Sequence, residues 1–116
     1  MEFVITVFHY HKGHDIDNAI FGKKLNENKI NEDIRVFSSG SLTKNGGGIQ
    51  NKYLKINMKN NSDFNLELLS DFLSNRLSHI DDADSLKIGE NTVSLKKEDV
   101  KRGLQFFLNN DLTEMH

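Results

Sequence analysis

The chain of 116 residues has no cysteine, no proline and no tryptophan. Without cysteine there are no disulfides, no thiolate metal sites and no cysteine nucleophile, a composition that fits a reducing compartment. No apolar run approaches the roughly 20 residues that cross a bilayer. The N-terminus shows no basic region ahead of its apolar stretch, so no secretory signal is read and a cytoplasmic location is expected. Charge of one sign is lacking too. The formal net charge is −2, and a dedicated nucleic-acid binder would need a basic stripe for phosphates.

What is present suffices for one folded domain over residues 1–116. The hydrophobic fraction is 36%, gathered into periodic clusters of Phe, Leu, Ile and Val. A chain of this length buries roughly two thirds of its unfolded surface, enough for a core without staples. Glu2 to Tyr10 alternates, with Phe3, Ile5, Val7 and His9 on one face and Val4, Thr6, Phe8 and Tyr10 on the other. Both rows are largely apolar, which predicts a central strand covered on both faces. Asp15 can cap a helix running to Asn28 with Ile16, Ala19 and Ile20 on its apolar stripe.

Asp33 to Leu42 and Ile49 to Lys59 read as two further strands, joined through Asn45-Gly46, a pair that tolerates the positive φ of a hairpin turn. Ser62 can cap a helix over Asp63–Ile80. There Phe64, Leu68, Leu69, Phe72, Leu73, Leu77 and Ile80 recur at three- and four-residue steps. Leu86–Ile88 and Thr92–Leu95 form a small hairpin around Gly89-Glu90-Asn91. A last helix covers Lys97–Asn109, with Gly103 allowing close packing, and residues 111–116 form a frayed tail. The order is β-α-β-β-α-β-β-α, an α+β domain with one mostly antiparallel sheet and helices packed on it. A split β-α-β plait, the ferredoxin-like arrangement, is the topology this order points to.

Three of the five histidines lie in His9-Tyr10-His11-Lys12-Gly13-His14. Two residues apart on a strand, His9 and His11 lie about 6.6–6.8 Å apart along one face, a spacing at which two imidazoles can share a metal ion. His14 or Asp15 could complete the set. The string is similar to the metal motif of the metallo-β-lactamase superfamily, but Gly13 stands where that family has Asp. Lys12 sets a positive charge beside any cation, and histidines at a strand end are ordinary hydrogen-bonding groups. No metal site and no cofactor are assigned. Ser38-Ser39-Gly40-Ser41 supplies hydroxyls without a nucleophile elbow. A strand follows Gly46-Gly47-Gly48 where a phosphate loop needs a helix. His79 in the last turn of its helix suits the local dipole.

Asp81, Asp82 and Asp84, with Glu90 nearby in sequence, lack the spacing of a calcium loop. They form a candidate acidic patch for a basic protein partner, because opposite potentials speed encounter. In size and composition, with no diagnostic motif, the chain resembles the immunity proteins of bacterial polymorphic toxins, including those of contact-dependent growth inhibition systems. That resemblance implies a cytoplasmic, non-enzymatic inhibitor that binds a cognate toxin domain and blocks its active site. Asp81, Asp82, Asp84 and Glu90 would then pair with toxin Lys and Arg or mimic phosphates. Neither nucleic acid nor membrane is an expected partner, and the chain is expected as a monomer or small homo-oligomer. The alternatives are a small metal-dependent enzyme using His9, His11 and His14, and a phage or mobile-element accessory protein that self-assembles. Calorimetric titration of tag-free protein with zinc or nickel separates the enzyme reading from the others: no saturable heat is expected, and a single-site isotherm would restore the metal centre.

Overall fold

The computed structural model describes residues 1–11, 25–39, 48–80 and 83–111. Six strands form a single sheet: β1 (Glu2–His11), β2 (Leu25–Asn31), β3 (Ile34–Ser39), β4 (Gly48–Met58), β5 (Ser85–Ile88) and β6 (Asn91–Ser94). Helix α1 (Asp63–Ile80) joins β4 to β5. Helix α2 (Lys97–Phe106) follows β6 and continues into a π-helical turn over Phe107–Asp111. The strand order is β2-β3-β4-β1-β5-β6, and every pairing is antiparallel. The chain is thus an α+β domain with one antiparallel sheet, as its sequence predicts.

β1 is central, in register with β4 along its whole length and with β5 from Ile5 to Phe8. β4 and β5 both oppose β1, so they run parallel to each other with β1 between them and α1 as the crossover. That is a split β-α-β unit. Phe3, Ile5 and Val7 are buried on one face, together with Ile34 and Val36 of β3, Leu54, Ile56 and Met58 of β4, and Leu86 and Ile88 of β5. Both helices seal this face. From α1 come Leu66, Leu69, Leu73 and Leu77, and from α2 and its extension come Val100, Leu104, Phe107 and Leu108. The Phe107 ring lies 5.5 Å from that of Phe3, a tilted aromatic contact of favourable geometry.

Two expectations change. The helix expected to reach Asn28 does not, because Leu25–Asn31 is strand β2, paired with β3; residues 15–24 lie outside the described residues. β2 has no clean apolar alternation to announce it. It is an edge strand whose ladder with β3 holds it, and its register shifts between Lys29 and Asn31. Charged residues and an irregular register are what a solvent-facing edge favours. Three successive antiparallel pairings make β2 antiparallel to β1, so β2 starts at the end of the sheet where β1 stops. The second change concerns β1: among the described residues helices cover one of its faces, and Val4 on the other is 54% exposed. The loop 43–47, the acidic pair Asp81 and Asp82, and residues 112–116 also lie outside the described residues.

Side chains fix the junctions. The β2–β3 turn is held by Asn31, whose Oδ1 accepts the Asp33 N–H at 2.8 Å, an Asx turn. Ser62 caps α1, its hydroxyl oxygen accepting the Asn65 N–H at 3.4 Å, a long bond in the expected place. Asn65 itself is 2% exposed. Its amide donates to the Asn60 carbonyl at 2.8 Å, and its Oδ1 accepts from the Asn31 amide at 3.1 Å. One buried side chain thereby ties the start of α1 to the end of β2. Replacing Asn65 with Leu or Ala strands the Asn31 amide and the Asn60 carbonyl. A loss of about 1–3 kcal/mol is expected from such unmade bonds, read as a lowered urea midpoint.

Candidate protein-binding surfaces

Strand alternation sends every second residue of the sheet away from the helices. The pairing register sets these residues in cross-strand rows. One row runs Glu27, Phe37, Lys55, Val4 across β2, β3, β4 and β1. The next runs Tyr53, Thr6, Lys87, Thr92 across β4, β1, β5 and β6. A third sets Lys29, Arg35, Asn57 and Glu2 side by side. Among the described residues no helix lies over these rows. Val4 is 54% and Tyr53 45% exposed, while Phe37, Thr6 and Lys87 are half-buried.

Charge is interleaved with this apolar and aromatic surface. The Lys55 ammonium lies 5.9 Å from the centre of the Phe37 ring and 3.3 Å from the Glu2 carboxylate. Arg35 lies 3.4 Å from Glu27. Exposed pairs of this kind add little stability. They hold long side chains upright beside Phe37 and Val4 and leave a surface of aromatics, a guanidinium and ammonium groups. Aromatics and Arg are enriched where proteins meet.

A second concave feature lies at the far edge, between β6 and α2. This open groove of about 490 Å³ is lined by Val93 and Ser94 on one wall and by Asp99, Arg102, Gly103 and Phe106 on the other. Gly103 sets its depth. A Cβ there would stand 3.0 Å from Val93 Cγ1 and 3.3 Å from Ile88 Cδ1, so the missing side chain lets α2 settle against the β5–β6 hairpin, the close packing the sequence suggested. The Ser94 hydroxyl donates to Asp99 at 2.6 Å and accepts the Lys96 N–H at 3.3 Å. These bonds fix the start of α2 relative to the strand.

Of the acidic residues singled out in sequence, Asp84 and Glu90 are among the described residues. Asp84 is exposed just before β5 and Glu90 is exposed in the turn after it. The four-residue strand between them spans roughly 13 Å. Asp81 and Asp82 lie outside the described residues. His9 and His11 fall on the last backbone positions of β1, paired with Gln50 and Gly48; their side chains, and all of His14, lie outside the described part. Among the described residues no three His, Cys, Asp or Glu side chains converge on a metal position. Ser38 donates from its hydroxyl to the Asn26 carbonyl at 3.4 Å, a bond across the β2–β3 ladder. No described helix is long and apolar enough to cross a membrane.

The strongest electrostatic cluster ties α1 to α2. Glu67 accepts hydrogen bonds from Lys97 and Lys101, the latter at 2.9 Å, and Asp71 lies 3.7 Å from Lys97. In the sequence, Glu67 falls on the polar side of α1 and suits the positive N-terminal end of that helix. The signal available was the pair Lys97 and Lys101, four residues apart on one helical face, but their partner depends on how the helices pack. The hydrogen bond from Lys97, then that from Lys101, holds the Glu67 carboxyl down at about 2. The same bond, donated to Glu67, raises Lys97 above its ordinary value.

In comparisons with known proteins, no family model matches this chain, and no curated protein or solved structure matches it. The Glu67 cluster carries a pH signature. A depressed carboxyl stabilises the fold at pH above its ordinary value of 4.5, and that stabilisation is lost as pH falls toward about 2. The stability gap between the natural chain and Glu67→Gln, read from urea midpoints, should therefore be full at neutral pH and close progressively below about pH 4.5. A gap independent of pH would place the role of Glu67 in packing.

Proposed function

We propose that this protein is a binding inhibitor of the immunity type, acting in the cytoplasm by docking on a toxin domain and covering its active site. The observation that carries this reading is the sheet face that no described helix covers, where Val4 and Tyr53 stand about half exposed on adjacent strands beside Phe37, Lys55 and Arg35. A paired, regular sheet presents these side chains in fixed positions. A partner therefore meets a preorganised surface and spends little free energy ordering it. The exposed aromatic and the guanidinium are the residue types that dominate binding energy at interfaces. Lys55 and Arg35 each keep a carboxylate beside them, Glu2 and Glu27, so the face offers a partner both signs of charge. Asp84 and Glu90, at opposite ends of β5, would meet separate basic groups at the rim.

The test is coexpression with the product of the neighbouring toxin gene. A stoichiometric complex that protects the host from growth arrest is expected. Tyr53→Ala and Val4→Asp should each weaken that complex at least about tenfold, in the range of an interface hot spot, with unchanged unfolding midpoints. Failure to form a complex or to protect the host overturns the proposed function. A complex indifferent to both substitutions removes the sheet face from it.

A further inference from the structure

The two edges of the sheet are built differently. β2 carries Glu27 and Lys29, and its register breaks between Lys29 and Asn31; charges and irregularities of this kind discourage a second strand from adding. β6 reads Asn91-Thr92-Val93-Ser94, with no charged residue, and its pairing with β5 is regular. Pairing alternates along an antiparallel ladder. In the tight β5–β6 hairpin, whose Gly89 has φ 63°, Ile88 and Asn91 close the turn. Val93 then bonds to Leu86, and Thr92 and Ser94 turn their peptide groups outward. Beside that edge runs the groove between β6 and α2, with Phe106 51% exposed on its wall.

We propose that the outer edge of β6 is a docking site for an extended segment of another protein, which adds as a seventh strand with alternate side chains lodged between β6 and α2. Main-chain bonds to Thr92 and Ser94 supply register, and the groove supplies selectivity, the usual division of labour in strand addition. The added residue opposite Val93 shares its face and points over Gly103 toward Phe106. The groove beside Val93, Gly103 and Phe106 has room for a medium apolar side chain. Groove-facing neighbours two residues away reach the rim, where Arg102 is largely exposed beside Asp99 at 3.7 Å. A carboxylate on the segment takes up the Arg102 charge and leaves Asp99 with Ser94.

A second copy of this chain is the less suitable occupant. β6 offers about 13 Å of strand, a short seam for the roughly 800 Å² per partner of a stable interface. A single segment needs only the seam and the groove. The site shares Thr92 with the end of the Tyr53 row, but its groove lies on the helix side of β6, and it stands without the toxin-inhibitor reading.

The probe is a blocked heptapeptide, Thr-Glu-Thr-Leu-Thr-Glu-Thr, titrated into the isotopically labelled full chain. Its control carries proline in place of the two central threonines. Amide shifts confined to β6 and α2 are expected, with slowed hydrogen exchange at Thr92 and Ser94 and no response to the proline peptide. Thr92→Pro removes an outward N–H and no ladder bond, and should weaken binding at least about tenfold. Phe106→Ala, at an exposed position, should also weaken it and guards against a folding defect in the first variant. No shift at millimolar peptide, shifts elsewhere, or equal binding of the proline peptide overturns the proposal. So does a concentration-dependent dimer whose Thr92 and Ser94 amides are already protected without peptide, since a second copy then holds the edge.

Discussion

The pairing of β1 with both β4 and β5 is the constraint on which the rest of the structure depends. It places Phe3, Ile5 and Val7 in the middle of one sheet face. It separates two strands that are linked by α1, so α1 must cross over β1 to join them. The crossover lays Leu66, Leu69, Leu73 and Leu77 on that face, and α2 closes the remainder with Val100 and Leu104. Burying a leucine in such a core is worth far more than an exposed ion pair. The Glu67 cluster therefore adjusts how the helices sit on each other, and the apolar seam decides that they pack at all.

Among the described residues the core is concentrated on one face, and Val4 and Tyr53 on the other stand about half exposed. An antiparallel sheet tolerates this where a parallel one does not, because its connections need not cover both faces. The consequence is a rigid grid of side chains whose spacing is set by the ladder. Val4, Phe37 and Tyr53 are held in the grid by the same pairings that bury Ile5, Val36 and Leu54 one residue away. The sheet also ends unequally, with a charged, irregular edge at β2 and a plain one at β6. Surface chemistry in this protein is thus organised by register more than by loops.

Much of this was legible in the chain. The three- and four-residue recurrence of Leu69, Leu73 and Leu77 announces α1, and Ser62 announces its cap, but Phe64, expected on the apolar stripe, is 67% exposed, and Leu66 is buried in its place. In β4, Leu54, Ile56 and Met58 alternate with Tyr53, Lys55 and Asn57, a one-sided pattern that gives the face assignment directly. β1 misleads because Val4 is as apolar as its buried neighbours, so its sequence reads as covered on both sides. β2 was hidden for a different reason. Leu25–Asn31 is mostly polar, and its strand exists through its hairpin pairing with β3, which its own apolar pattern does not report. The groove at Gly103 was half visible: the glycine suggested close packing, but the edge it packs against needed the sheet order.

Neighbouring residues on β1 test the central claim most directly. The account holds that β1 buries one face and exposes the other. Ile5→Lys and Val4→Lys should be compared by urea unfolding in otherwise identical chains. The prediction is that Ile5→Lys abolishes cooperative folding, since an unpaired charge would enter a fully buried position, while Val4→Lys changes stability by no more than about 1 kcal/mol. Equal and severe losses from both would mean that β1 is covered on both faces, and would contradict the one-sided core and the binding surface built on it.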